Sequence, residues 1–349
     1  MTEAFTLSEC LPADLQEIVE LQEVLWRGGE KNIAYYHWKY RDNPYLDGRY
    51  SVLARDSAGR VAGMVGVFGS PWERDGARFV LPCVTDTIVV PEHRSSPLFH
   101  RMLDEAARRL RDADSPWLLD FGDQGAIPAM LLRGWKMVGP WALSVLTRSG
   151  DPCRPGWADE PVRTGARSGV PIAVAPGDDR TIEAMADVAS RVPDDGRVRV
   201  ARDLGYYTWR AANPLAHYYY LVAGEEKPAG FLVGHRFALD PDDAETSTTI
   251  VECEADDPDV KADLLDAAHD LLPGRWVLSW AHDLPGEARD VLDRWGTEVF
   301  EPSGRFDVDG PLPNLMLKHT GAAPRDPVPA ELDELGTWDV RGVTGRAWR

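Results

Sequence analysis

The chain is short of cysteine, of long apolar runs and of positive charge, and each shortage excludes something. Its four cysteines, Cys10, Cys83, Cys153 and Cys253, stand far apart, with no Cys-x-x-Cys pair and no metal-type spacing. That fits reduced thiols in a cytoplasmic protein rather than a disulfide framework. No apolar run approaches the roughly 18 residues of a membrane span, and the opening MTEAFTLSEC lacks the charged-then-apolar order of a secretion signal. Lys and Arg number 38 against 57 Asp and Glu, a formal net charge of −19. The summed field repels polyanions and anionic surfaces, so neither nucleic acid nor a membrane is an expected partner. The eight histidines include no pair at ligand spacing with a carboxylate on one helix face; His93 and His100 fall on a turn and a helix. No metal is expected.

What is present is globular. At 349 residues, 44% hydrophobic and 27% charged, the chain can bury a sizeable core and is long enough for two domains. A search for self-similarity finds them. YYHWKYRDNPYLDGRYSVLARDSAGRVAGMVGVF, from Tyr35, aligns with YYTWRAANPLAHYYYLVAGEEKPAGFLVGHRF, from Tyr206. Each has Tyr-Tyr-x-Trp, then Asn-Pro, then a strand, a turn, and Ala-Gly opening a second strand. Further on, DTIVV at 86–90 matches TTIVE at 248–252, and LDEAA at 103–107 matches LDAAH at 265–269. The division is 1–149 for the first copy, 150–169 for a Gly-, Pro- and charge-rich linker, and 170–349 for the second copy with its tail.

Each copy opens with an amphipathic helix, PADLQEIVELQEVLW and DDRTIEAMADVASRV. In the first copy YSVLAR, AGMVGVF and CVTDTIVV read as strands, with DSAGR as a hairpin turn between the first two. PLFHRMLDEAARRLRD is a helix with Leu98, Met102, Ala106 and Leu110 on one face. WLLDF is a strand, IPAMLLRG a helix stopped by Gly134, and WALSVLTR the copy's last strand. Trp117, Trp135 and Trp141 read as core.

This order, with VVPEHR leading into a helix and Trp38, Tyr40, Asn43 and Pro44 spelling Trp-x-Tyr-x-x-Asn-Pro, resembles the GNAT acyltransferase superfamily and its bacterial members that carry that signature. The resemblance covers residues 5–148 well and 172–318 mainly through the internal repeat. It implies an α/β (α+β) fold of two tandem domains, each a mixed, mostly antiparallel sheet flanked by helices. It also implies acetyl-CoA or another acyl-CoA as co-substrate and a small-molecule amine as acceptor. Carried over from the family, the resemblance implies a cofactor along Ile88, Val89 and Val90, with its pyrophosphate on the loop and helix start at Arg94, Ser95, Ser96, Leu98 and Phe99. The physics of that seat is general: unpaired N–H groups at a helix start and the positive end of its dipole favour an anion.

The chain departs from the family's glycine-rich loop. Pro97 and Phe99 stand where glycine and a small residue belong, and proline has no N–H to donate. In the second copy Glu254, Asp256, Asp257 and Asp259 occupy the same stretch, so no cofactor is expected there. Asp86 is the candidate base for deprotonating the amine; the other reading is that it caps a strand end or pairs with a cation. Thr248 is its expected counterpart in the second copy. Tyr36, Trp38 and Tyr40 either bind the acceptor or pack as core. Leu131 and Leu132 stand where the family's frequent tyrosine acid would be, so no proton donor for the leaving thiolate is visible. Three functions follow: an N-acyltransferase using the first copy, a non-catalytic binding or scaffold module, and an aminoacyl-tRNA-dependent transferase, which the negative charge opposes. The acidic surface suits a cationic acceptor. Oligomeric state is not legible.

Overall fold

The computed structural model describes residues 4–122, 126–140, 142–148, 162–237, 247–281, 284–296, 298–300 and 314–340. Trp141, Cys153 and residues 150–161 of the expected linker lie outside them. The first half runs β1 (Thr6–Glu9), α1 (Leu15–Trp26), α2 (Lys31–Tyr36), β2 (Val52–Arg55), β3 (Val61–Arg74), β4 (Ala77–Val89), α3 (Leu98–Asp112), β5 (Trp117–Gly122), α4 (Ile127–Leu131), β6 (Lys136–Pro140) and β7 (Leu143–Thr147). The second half repeats the plan as β8 (Arg163–Thr164), β9 (Pro171–Ala175), α5 (Asp179–Arg191), β10 (Val198–Val200), α6 (Leu204–Ala211), β11 (Ala216–Ala223), β12 (Gly230–Phe237), β13 (Thr248–Ala255), α7 (Pro258–Leu271), β14 (Trp276–Trp280), α8 (Gly286–Arg294), β15 (Glu298–Phe300), β16 (Asn314–His319) and β17 (Trp338–Asp339). A strand therefore precedes the opening helix of each copy, which the helical periodicity of that region did not reveal. No described helix is long and apolar enough to cross a membrane.

Local chemistry accounts for the elements. In α3, Leu98, Met102, Ala106 and Leu110 are all buried, as their spacing predicts. DSAGR closes the β2–β3 hairpin through Asp56, whose backbone pairs with Arg60 and whose carboxylate accepts the N–H groups of Ala58 and Arg60. The longer β3–β4 hairpin turns on Asp75-Gly76, both at positive φ (51° and 74°), the conformation that an Asp-Gly pair suits in a two-residue turn. Asn43 and Asn213 of the two Asn-Pro pairs each accept a backbone N–H two residues on, at 2.8 and 3.0 Å. They fold the chain from helix into strand.

Among the described residues there are two sheets. The first is ordered β1-β2-β3-β4-β5-β16-β6, with β10 and β17 extending it beside β3; the second is ordered β15-β7-β14-β13-β12-β11-β9-β8. The last strands are exchanged. β7, expected to finish the first copy, pairs antiparallel with β14 and β15 of the second. In return β16 enters between β5 and β6 of the first. The side chain of Arg148 follows β7 across and donates to the carbonyls of Leu272 and His269 at the end of α7. The tail then crosses back, with Trp338 fully buried and edge-on to Trp72 (5.2 Å).

A second contact joins the copies at the repeated motif. Trp38 and Trp209 stack at 5.0 Å and 14°, and each indole N–H donates to the other's carbonyl, at 2.6 and 3.1 Å. One apolar cluster accordingly includes α1, β3–β5, α5, α6 and tail residues from both halves.

Two outcomes follow. Residues 1–149 alone leave β5 and β6 without the strand between them, with backbone groups unpaired on both. This fragment should not fold by itself, and co-expression with 150–349 should yield a stable complex, read by co-purification and a thermal melt. The second concerns acid. Glu105 accepts from Arg108 and Arg109, and Arg109 also ties α3 to the carbonyls of Arg49 and Ser51. The Arg108 guanidinium lowers the Glu105 carboxyl from 4.5 to about 2. Its folded value lies below its unfolded one, so its stabilisation is full above about 4.5 and lost as pH falls toward 2. Glu105→Gln should lower the melting temperature at pH 7 and leave it unchanged near pH 2.

Candidate active site

The site begins where two parallel strands part. β4 pairs with β5 at Cys83–Leu119 and Val84–Asp120, but stays on β3 as far as Val89. Between the pairs Gly66–Thr85 and Met64–Ile88 the register shifts, and Asp86 takes φ 46°. This bulge bends β4 away from β5 and opens a wedge. The N–H of Val90 donates to Ala62 on β3, so alternation turns the polar backbone of Val89 toward the wedge. Ile88 and Val90 face β3. An aspartate in the left-handed region is strained, and strain of this kind gathers at functional sites.

Asp86 has a side chain only 1% exposed. Its Oδ2 accepts from Tyr40 Oη (2.6 Å) and Gln22 Nε2 (3.1 Å), and its Oδ1 accepts from Thr85 Oγ1 (3.2 Å) and Lys39 Nζ (3.4 Å). A π turn over His37–Arg41, in which Trp38, Lys39 and Tyr40 are all buried, delivers Lys39 and Tyr40, while Gln22 comes from α1 and Thr85 from β4 itself. Gly66 lets Tyr40 reach: a Cβ there would lie 2.2 Å from the tyrosine oxygen. Burial, and the neighbouring Asp86 carboxylate after it, push the Tyr40 hydroxyl well above its ordinary value, so it stays a donor. Tyr36 packs against Tyr40 at 5.4 Å. Of the expected acceptor-site residues, Tyr40 therefore stands on Asp86, Tyr36 stands behind Tyr40, and Trp38 is engaged with Trp209. Lys39 is the member that periodicity did not single out; the signal available was a lysine inside an aromatic run, YYHWKY.

The loop at the start of α3 is closed on itself. The N–H of Ser96 donates to His93 O (3.0 Å), the Ser96 hydroxyl donates to the same carbonyl (2.7 Å), and the N–H of Leu98 donates to Ser96 Oγ (3.2 Å). Pro97 is the N-cap, one position before the helix. Arg94 and Ser95 are exposed, and Arg94 Nε donates to Val89 O (3.2 Å). Phe99 is half-buried against the α3 core.

In the second copy, pairing register corrects the counterpart of Asp86. Gly63–Val89 recurs as Gly230–Ala255, and three residues before Val89 and Ala255 lie Asp86 and Glu252. Thr248 is at the strand's start, opposite Val277. Glu252 is buried, accepting from Tyr207 Oη (2.6 Å) and Arg202 Nη1 (2.8 Å). Burial raises its carboxyl, partly offset by Arg202. Only Asp256 and Asp257 separate β13 from α7, and Asp257 accepts the N–H of Asp259 (2.7 Å). The chain's own carboxylate thus sits where an anion would. The second wedge retains a cavity of about 30 Å³, lined among others by Cys253, Lys261, Trp280 and Val340 of the tail. Among the described residues no cluster of three or more His, Cys, Asp or Glu could hold a metal.

Residues 8–123 match the model of the acetyltransferase (GNAT) domain. Several solved structures share the fold. A GCN5-related N-acetyltransferase from Anabaena variabilis ATCC 29413 superposes with TM-score 0.59 at 11% identity, over 91% of this chain and 73% of that one. A tandem GNAT protein from the clavulanic acid biosynthesis pathway gives 0.58 at 14%, over 92% and 100%. A GCN5-related N-acetyltransferase from Kribbella flavida gives 0.54 at 14%, over 91% and 71%. No curated relative matches the sequence. The first copy is a GNAT domain. The whole chain has the tandem GNAT fold, two such copies with their last strands exchanged.

Removing one partner of a buried ion pair strands the other, typically at about 3–5 kcal/mol. Lys39→Met and Asp86→Asn should each destabilise on that scale, and the double variant by less than their sum, as measured in a denaturant-based double-mutant cycle.

Proposed function

We propose that the protein is an acyl-CoA-dependent N-acyltransferase acting in the cytoplasm, transferring an acyl group, acetyl in the first instance, to a small-molecule amine through its first copy. The observation that carries this reading is the wedge between β4 and β5, opened by the bulge at Asp86 and ending at a helix start. The donor set fits the cofactor in part. On this reading Arg94 and Ser95 hold the pyrophosphate, Leu98 adds its N–H once the Ser96 hydroxyl turns outward, and Ser96 adds its own once that N–H leaves the His93 carbonyl. Val89 turns its backbone N–H toward the pantetheine arm, its carbonyl being held by Arg94 Nε (3.2 Å). The thioester supplies the acyl group, and the buried Asp86–Tyr40 pair orients the acceptor side, with Asp86 as the candidate base. Cys10 and Cys83 are free thiols, and burial lifts Cys10 to about 12. Inert thiols of this kind suit a reducing compartment.

Calorimetric titration with acetyl-CoA, CoA and longer acyl-CoAs tests the reading. Losing one charge-assisted contact costs about 1.5–3 kcal/mol, so Arg94→Ala should weaken CoA about ten- to a hundredfold. The double variant Pro97→Gly, Phe99→Gly should tighten it by restoring a donor and removing bulk. An Arg94→Ala affinity equal to wild type rules out this placement. A second reading, a non-catalytic binding module, is favoured by the self-closed loop and by the pairing of Asp86 with Lys39. It prevails if neither wild type nor the glycine variant binds CoA.

A further inference from the structure

Lys39 lies between two candidate acceptor-site residues in the chain, and in space it stands against the candidate base. Its ammonium donates to Tyr35 Oη (2.5 Å), Thr85 Oγ1 (2.8 Å) and Asp86 Oδ1 (3.4 Å). Around it, the ring centroids of Tyr35, Phe68, Trp26 and Tyr40 lie 4.9, 5.4, 5.9 and 5.9 Å from Nζ. The side chain is 4% exposed. Oxygen acceptors on one side and ring faces around the rest are how a protein receives the ammonium of a ligand. Thr85 follows directly on Val84, the last β4 residue paired with β5, so this ammonium stands where the strands part.

We propose that Lys39 is the specificity-determining residue of the acceptor site: its ammonium fills, from within, the seat beside Asp86 where a substrate ammonium would be deprotonated. The acceptor is therefore an amine already neutral near pH 7, of the arylamine, hydroxylamine or arylhydrazine class. This rests on the reading of the first copy as an acyl-CoA site. An alkylammonium, with a pKa near 10, must lose a proton before it can attack. Both oxygens of Asp86 are already engaged, by Lys39 and Thr85 at Oδ1 and by Tyr40 and Gln22 at Oδ2. Expelling Lys39 to admit another cation would break a buried pair for no gain in charge balance. A weakly basic amine needs no base. Its lone pair attacks the thioester carbonyl, the C–N bond forms as the C–S bond breaks, and the proton shed by nitrogen passes to the departing thiolate. That route also needs no side-chain acid at Leu131 or Leu132. It reverses the cationic acceptor suggested by net charge, since a long-range field concentrates ligands but does not vacate a seat.

The test is chemical rescue with n-propylammonium, which replaces what Lys39→Ala removes. Saturating amine should raise the melting temperature of Lys39→Ala by roughly 2–4 °C and leave unchanged both wild type and Lys39→Met, whose seats are filled. With acetyl-CoA, wild type should acetylate anilines and phenylhydrazine faster than alkylamines of similar size, by roughly tenfold or more in kcat/KM, and Lys39→Ala should gain alkylamine turnover. A Lys39→Ala melting temperature indifferent to the amine overturns the seat. With CoA bound, wild-type turnover of alkylamines as fast as arylamines, or of neither, overturns the acceptor class. Failure of the transfer reading shows separately, as absence of CoA binding in calorimetry, and the thermal arm still decides the seat.

Discussion

A strand inserted between two others must satisfy both neighbours, because backbone N–H and C=O groups buried without partners are costly. In this chain each copy supplies that strand to the other. β16 bonds on one side to β5 and on the other to β6, and β7 likewise to β14 and β15. Neither sheet is complete without the opposite half, so the two copies form one folding unit although the sequence repeats. The remaining cross-links follow from this exchange. With the last strands crossed, the π turn of the first copy meets α6 of the second, and Trp38 and Trp209 form a reciprocal pair there.

The same geometry fixes the surroundings of the candidate active site. Asp86, Lys39 and the aromatic rings near them lie on the face of the first sheet that looks toward the second copy, within or beside the cluster that contains Ile182, Val188, Tyr206 and Trp338. The π turn has two duties: its Trp38 edge holds the partner copy, and its Lys39–Tyr40 edge holds Asp86. A change in the packing between copies is therefore felt at Asp86 through one short segment.

The repeat was legible because aromatic, Asn-Pro and Ala-Gly positions carry structural work in both copies, and these set the number of domains and the mixed, largely antiparallel sheets. The exchange was not legible. WALSVLTR has the pattern of a buried strand whichever sheet receives it, and strand pattern encodes burial, not the identity of the neighbour. The counterpart of Asp86 was misplaced for a related reason: TTIVE resembles DTIVV in letters, but register is set by pairing and bulges, which put Glu252 in that place. Lys39 escaped because a helical period of 3.6 does not bury three consecutive residues on one core-facing stripe, whereas in this π turn both edges are covered, Trp38 by the second copy and Lys39 and Tyr40 by Asp86.

The two copies have diverged most at the helix start that follows the wedge. In the first copy an exposed arginine and serine stand there before a self-closed loop; in the second, Asp257 caps the helix and Val340 of the tail lines what remains of the wedge. Loss of an anion seat would ordinarily free a domain to be discarded. Here the second copy holds β7, supplies β16 and stacks Trp209 on the segment that positions Asp86, so it is required by the fold of the first whatever ligands it has lost. Exchange of the last strands thus binds each copy to the fold of the other through packing, independently of what either copy binds.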